Sequence, residues 1–98
     1  MNAFGGDTGT VLVAEHDERG SDQEELYVVV EGTARFTLDG QELDVPSVAF
    51  VALPDPEVVR AAVAREDGTL VLAVGAPRGS GFATTWRPEH FGRVPRAE

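Results

Sequence analysis

Apolar residues in this chain come in short runs parted by turn-forming residues. "TVLVA" (10–14) is a β-branched run, and "EHDERGSDQ" (15–23) after it is polar and reads as a loop. "ELYVVVE" (25–31) is rich in Val and Tyr, and its apolar positions are continuous rather than alternating. Such a strand expects cover on both faces. Gly32 interrupts it, as a bulge or bend does. "ARFTLDGQELDV" (34–45) holds Asp39-Gly40 between two strand-like pieces. Asp-Gly favours a type I′ turn, whose twist matches paired strands, so a hairpin is predicted. "SVAFVAL" (47–53) is another apolar strand, closed by the turn "PDPE" (54–57), where Pro54 and Pro56 cannot donate to a ladder.

"VVRAAVA" (58–64) and "TLVLAVGA" (69–76) follow, separated by "REDG" (65–68). Arg and Ala favour a helix for the first of these, and Glu57 would suit its first turn. The segment is short, holds three Val and lies between strands at strand-like spacing, so the strand reading prevails. Six or seven short strands at about ten-residue spacing predict an all-β antiparallel sandwich or barrel. Val29, Phe36, Leu38, Phe50, Val59, Leu70 and Leu72 are the expected core.

Composition narrows the picture. A chain of 98 residues is one modest domain. It holds no Cys, which excludes disulfides and thiolate metal sites. The first ten residues lack the basic and apolar segments of a signal peptide, and no apolar run approaches the ~20 residues of a membrane helix. A cytoplasmic protein with no membrane partner is therefore expected. The net charge of −9 argues against a nucleic-acid partner. Acids crowd residues 15–31, where Glu15, Asp17, Glu18, Asp22, Glu24, Glu25 and Glu31 face only Arg19.

Two stretches resemble the cupin superfamily. Its first motif has the form G-x5-H-x-H-x(3,4)-E-x6-G, and Glu25 and Gly32 in "EELYVVVEG" match the second half. Its second motif, G-x5-P-x-G-x2-H-x3-N, lies without gaps on "PSVAFVALPDPEVVRA". There Pro46, Ala52, Pro54, Glu57 and Ala61 occupy the motif's positions, so only spacing and hydrophobicity survive. The resemblance covers about residues 11 to 77 and implies a single-domain jelly-roll β-barrel. It divides the chain into an N-terminal arm (1–10), the barrel (11–77) and a C-terminal tail (78–98) packed on the barrel or on a partner subunit. Phe82, Trp86 and Phe91 are the tail's candidate anchors, and its Arg residues are expected near the acidic 15–31 region. The resemblance also implies a homodimer, which the two apolar faces of "LYVVV" would suit.

In metal-binding cupins, two His and one Glu of the first motif and one His of the second hold a divalent metal. Counting back from Glu25 puts Arg19 and Ser21, or Glu18 and Gly20, at the two His positions, and Glu57 stands at the third. Only Glu25 keeps its ligand type. An inward fold of the loop could bring His16 and Glu18 to Glu25 and Glu57, giving one nitrogen and three carboxylates. That oxygen-rich set would suit Mn or Mg. With no Arg placed beside them, the carboxylates would repel one another unless a metal or protons compensated. Nothing in "EHDERGSDQ" forces the loop inward, so no tightly held metal or other cofactor is expected. His16 otherwise reads as a solvated loop residue and Glu57 as a solvated turn residue.

The expected function is a small-molecule-binding barrel without the His-metal centre. The pocket candidates are Glu25, Tyr27, Glu57, Phe36 and Phe50. Tyr27 shares the face of Glu25, because side chains two apart on a strand do. The pair is expected to form the polar floor. The alternative is an isomerase, epimerase or cyclase that uses these carboxylates as acid and base, metal-free or with an atypical metal.

Overall fold

The computed structural model describes residues 1–77, and the expectations for the tail lie outside them. Eight strands run β1 (Asn2–Gly6), β2 (Val11–His16), β3 (Gln23–Glu31), β4 (Thr33–Leu38), β5 (Gln41–Pro46), β6 (Ala49–Leu53), β7 (Arg60–Ala64) and β8 (Thr69–Pro77). They form two four-stranded antiparallel sheets, in the orders β1-β8-β3-β6 and β2-β7-β4-β5. This interleaved order is that of a double-sheet jelly roll. There is no helix among the described residues.

The predicted elements arise from their predicted causes. Asp39 and Gly40 have φ of 49° and 83°, and Leu38 pairs directly with Gln41, as a two-residue I′ hairpin requires. Gly32 has φ of 71° and sits where the β3–β8 register slips between Val29 and Glu31. A Cβ there would lie 2.9 Å from Thr69 Cα, so only Gly fits the crossing from β3 to β4. "VVRAAVA" is a strand, paired on one edge with β2 and on the other with β4.

Register decides which side chains meet. Residues directly opposite in a ladder share a face. Tyr27 pairs with Val51 and Ala73, and Val29 with Ala49 and Val71, so these line the inner face of the first sheet. Phe36 pairs with Ala62, and Ala34 with Ala64 and Val45, on the inner face of the second. All belong to one buried cluster between the sheets, with Phe4, Leu38 and Val58 packed against it. Ala at five of these positions (Ala34, Ala49, Ala62, Ala64 and Ala73) leaves room for the two rings: Tyr27 and Phe36 meet with centroids 5.4 Å apart, tilted by 54°.

Three expectations are corrected. Residues 2–6 are not a simple arm but the edge strand β1, paired with β8 from Asn2–Ala73 to Gly6–Thr69. Its two Gly hid it, since Gly is depleted in strands. Phe50 pairs with Val28 and Leu72 with Val28 from the other side, so they share the outer face of the first sheet rather than the core between the sheets. Leu70 and Val59 are likewise only half-buried and lie off that core. Cover on the outer face of β3 is uneven: Leu26 is buried, whereas Val30 is 37% exposed.

Val48, between β5 and β6, has φ of 60°, a region that β-branched residues rarely occupy, while its N–H donates to Val29 O at 2.8 Å. Gly32 and Val48 therefore make opposite predictions. Gly32→Ala should cost at least about 1–3 kcal/mol, from strain and the collision with Thr69. Val48→Gly should cost nothing or stabilise slightly, because relief of about 1–2 kcal/mol of left-handed strain offsets the entropy of Gly. Urea denaturation of both variants checks this. Equal losses would show that the two backbones are not constrained as described.

Candidate functional site

One end of the sandwich is polar, and register explains how. On the inner face of the second sheet, Arg60 follows Ala62 and Ala64 at strand spacing, between Leu38 of β4 and His16 of β2. On the inner face of the first sheet, Glu25 follows Tyr27 and Val29 and lies opposite Leu53 and Gly75. The two sheets thus bring an Arg and a Glu face to face at the same end.

Arg60 is 0% exposed, the largest fully buried side chain among the described residues. Burial of a guanidinium is tolerated only when its donors find acceptors. Its Nη1 donates to Glu25 Oε1 at 2.9 Å. Its Nε and Nη2 donate to Val58 O at 3.0 and 2.8 Å, and Nη2 also reaches Asp55 O at 3.3 Å. The 54–58 turn wraps the guanidinium with its carbonyls. The two Pro residues remove donors from that turn, and Asp55 Oδ1 accepts the Glu57 N–H at 2.9 Å.

Glu25 Oε1 also accepts the Tyr27 hydroxyl at 2.6 Å. Burial raises the Tyr27 pKa above its ordinary 10.0, and the hydrogen bond to Glu25 and that group's charge raise it further, against a smaller opposing effect of Arg60. Tyr27 is therefore a fixed donor to Glu25.

His16 lies on the end of β2, where a loop was expected. Its Nδ1 is 2.8 Å from Ala14 O, so that nitrogen carries a proton. Its Nε2 is 3.1 Å from Glu18 Oε1 and 3.9 Å from Glu25 Oε1. Glu18 is held by local structure: its N–H donates to Pro56 O at 2.8 Å, and Ser21 Oγ donates to its Oε2 at 2.7 Å. The Ser21 bond, more than His16, lowers the Glu18 pKa from 4.5 against the opposing effect of burial. The 15–22 loop thus does fold inward, tied to the 54–58 turn.

The structure joins His16, Glu18 and Glu25, whose ligand atoms lie within 4.8 Å of one another. Glu57 is not among them. Its side chain is 67% exposed and among the described residues meets Arg19, at 3.8 Å, because the 54–58 turn directs carbonyls rather than this carboxylate inward. Of the other pocket candidates, Phe36 is buried against Tyr27, whereas Phe50 faces outward from the other side of the first sheet. The expectation that no Arg stands beside the carboxylates is wrong, since Arg60 is in contact with Glu25. The signal was present: in "VVRAAVA" Arg60 alternates with Ala62 and Ala64, the buried positions of β7.

Similar solved structures place this architecture. A cupin protein (BF4112) from Bacteroides fragilis superposes with a TM-score of 0.69 at 18% identity, over 96% of this chain and 75% of that one. KdgF from Halomonas sp. gives 0.64 at 25% identity, over 78% of this chain and 66% of that one. The fold is cupin-like. A conserved protein of unknown function (SPY1581) from Streptococcus pyogenes gives 0.59 at 20% identity, over 72% and 58%. The matched regions thus span 66% and 58% of the KdgF and SPY1581 chains. No family model and no curated protein matches the chain.

The cupin-like fold implies a metal, and the residues present do not fit the centre it implies. Two of its three His positions are filled by residues other than His on either count, and the third is the exposed Glu57. The Glu that remains has one oxygen, Oε1, already bonded by Tyr27 and Arg60. A divalent ion on Glu25 would also meet the like charge of the Arg60 guanidinium, which already sits against Oε1 at 2.9 Å. Glu25 already has a counter-charge in Arg60, at 2.9 Å.

Two predictions follow from this geometry. Tyr27→Phe deletes a donor to a charged acceptor and should cost about 1.5–3 kcal/mol in denaturant. A loss below about 0.5 kcal/mol would mean that the hydroxyl and Glu25 are not bonded. Because the folded state lowers the Glu18 pKa, its contribution to stability is complete above the ordinary 4.5 and is lost as pH falls through the lowered value. Glu18→Gln should therefore lower the melting temperature at neutral pH and converge with the wild type in acid. A constant gap at all pH values would contradict the ionised Glu18.

Proposed function

We propose that this protein binds a small molecule at the polar end of the sandwich, and that the ligand brings a cationic or hydroxyl donor to the acceptors there. The observation that carries this reading is the state of Glu25. Its side chain is 14% exposed, and among the described residues both of its donors converge on Oε1. Oε2 thus remains as a fixed acceptor. Beside it stand Glu18, with its side chain 21% exposed, and His16, at 39%. A few convergent polar groups beside apolar side chains are the usual lining of a ligand site. Arg60 is fully buried and engaged, so the site does not offer a guanidinium to an anion.

A thermal-shift screen of amines, quaternary ammonium compounds, polyols and carboxylates tests the reading. Amines or polyols should raise the melting temperature, by about 2.7 kcal/mol of stability at a hundredfold excess over Kd, and Glu18→Gln should weaken the effect. Stabilisation by carboxylates alone, or by none of these, would contradict it.

His16 supports a second reading, general acid–base catalysis on the bound molecule. Its ring is half-exposed, oriented by Ala14 O, and set between two carboxylates. Incorporation of solvent deuterium into a carbonyl-bearing ligand, abolished in His16→Asn, would turn binding into isomerase-type catalysis.

The same proposal includes a homodimer. The outer face of the second sheet carries Arg35 and Asp44, ion-paired at 2.8 Å. The outer face of the first carries half-buried Val28, Leu70, Leu72 and Val74. A second copy seated on that apolar face would bury at least roughly 1,000 Å². Light scattering should report a dimer at micromolar concentration, and a monomer would remove this part of the proposal.

A further inference from the structure

We infer that the Arg60 guanidinium is the resident cation of this site and stands in for the metal ion that the fold implies. This deepens the binding proposal by naming what organises its polar end. It does not depend on which ligand binds there.

The substitution can be traced residue by residue. A metal in such a site holds its carboxylate ligand in place and neutralises it. Here Glu25 is held by Nη1 of Arg60 at 2.9 Å and by the Tyr27 hydroxyl at 2.6 Å, both on Oε1. A metal ion is fixed by ligands from more than one element. Arg60 is fixed by β3 through Glu25 and by the 54–58 turn through the carbonyls of Val58 and Asp55. The carbonyls belong to the second-motif segment, which in the fold's metal-bearing form supplies a His. In this chain the equivalent residue, Glu57, is turned to solvent, and backbone oxygens of its neighbours face inward. The change is therefore concerted. The segment that no longer offers a side-chain ligand offers carbonyls, and a cation three residues further on fills the space they face.

The chemistry separates the two cations. A metal presents vacant coordination positions and accepts electron pairs. A guanidinium is saturated by its own N–H donors and cannot ligate or exchange water. A ligand at this site is thus held by hydrogen bonds to Glu25, Glu18 and His16, not by coordination.

The test is metal affinity, read apart from any small-molecule binding. Untagged wild-type protein is titrated with Mn²⁺ and Zn²⁺ by calorimetry, and NMR follows the Tyr27 and Arg60 signals for paramagnetic broadening by Mn²⁺. No stoichiometric binding and no broadening confined to these signals is expected. Arg60→His removes the guanidinium and places a second imidazole opposite His16. Zn²⁺ should then bind at least roughly 100-fold more tightly than to the wild type, and His16→Ala in that background should remove the gain. A stoichiometric ion in the wild type, lost on His16→Ala, would overturn the inference. So would a folded Arg60→His variant with unchanged affinity. If Arg60→His does not fold, the wild-type NMR titration decides alone: local broadening overturns the inference, and its absence upholds it. A failed ligand screen with these results intact would sink the binding proposal and leave Arg60 in its role.

Discussion

A guanidinium buried between two β-sheets is a severe constraint, and much of the polar end of this protein is arranged to satisfy it. Arg60 has no access to water, so its N–H groups must be met by the chain itself. Glu25 meets one from the opposite sheet, and the carbonyls of the 54–58 turn meet others. That turn then carries the neighbouring loop, because Pro56 O accepts the N–H of Glu18. Glu18 in turn positions His16. Removing the guanidinium would leave a buried carboxylate and a set of inward carbonyls without partners, which is costly in a low-dielectric interior.

The apolar and polar parts of the sandwich follow from one alternation. Along β7, the inward positions read Arg60, Ala62, Ala64, and along β3 they read Glu25, Tyr27, Val29. Each strand therefore passes from polar to apolar across the same interior. Tyr27 stands at the boundary. Its ring packs on Phe36 and its hydroxyl reaches Glu25, so one side chain joins the apolar core to the polar end. The cupin-like neighbours share the scaffold, but scaffold similarity at these identities speaks for fold rather than activity. Function has to be argued from the polar end itself.

Sequence patterning reached the strands and turns because those signals are local. Asp39-Gly40 needs only its own two residues to make a hairpin turn, and Gly32 marks a break that its neighbours alone announce. Glu25 and Tyr27 were legible as a pair because strand alternation places them together. Arg60 was not, since its partner lies 35 positions earlier and on the other sheet. A cation in an Ala-rich segment also reads as a solvent-facing residue until the register of both sheets is known. His16 was misjudged for a related reason: polar Glu15 and His16 continue β2, with His16 paired to Arg60 of β7, a contact that composition does not encode. Glu57 was drawn in by motif spacing, which counts residues but does not show which way a turn points.

The account rests on Arg60 and Glu25 acting as one unit, and a double-mutant cycle measures that most directly. Arg60→Met, Glu25→Leu and the double variant would be unfolded in urea alongside the wild type. Each single change strands a buried charge and should cost about 3–5 kcal/mol, whereas the double variant leaves neither charge behind. The account predicts that the double variant is more stable than either single one, with a coupling of about 2–3 kcal/mol or more. Additive losses, with the double variant the least stable of the four, would contradict it.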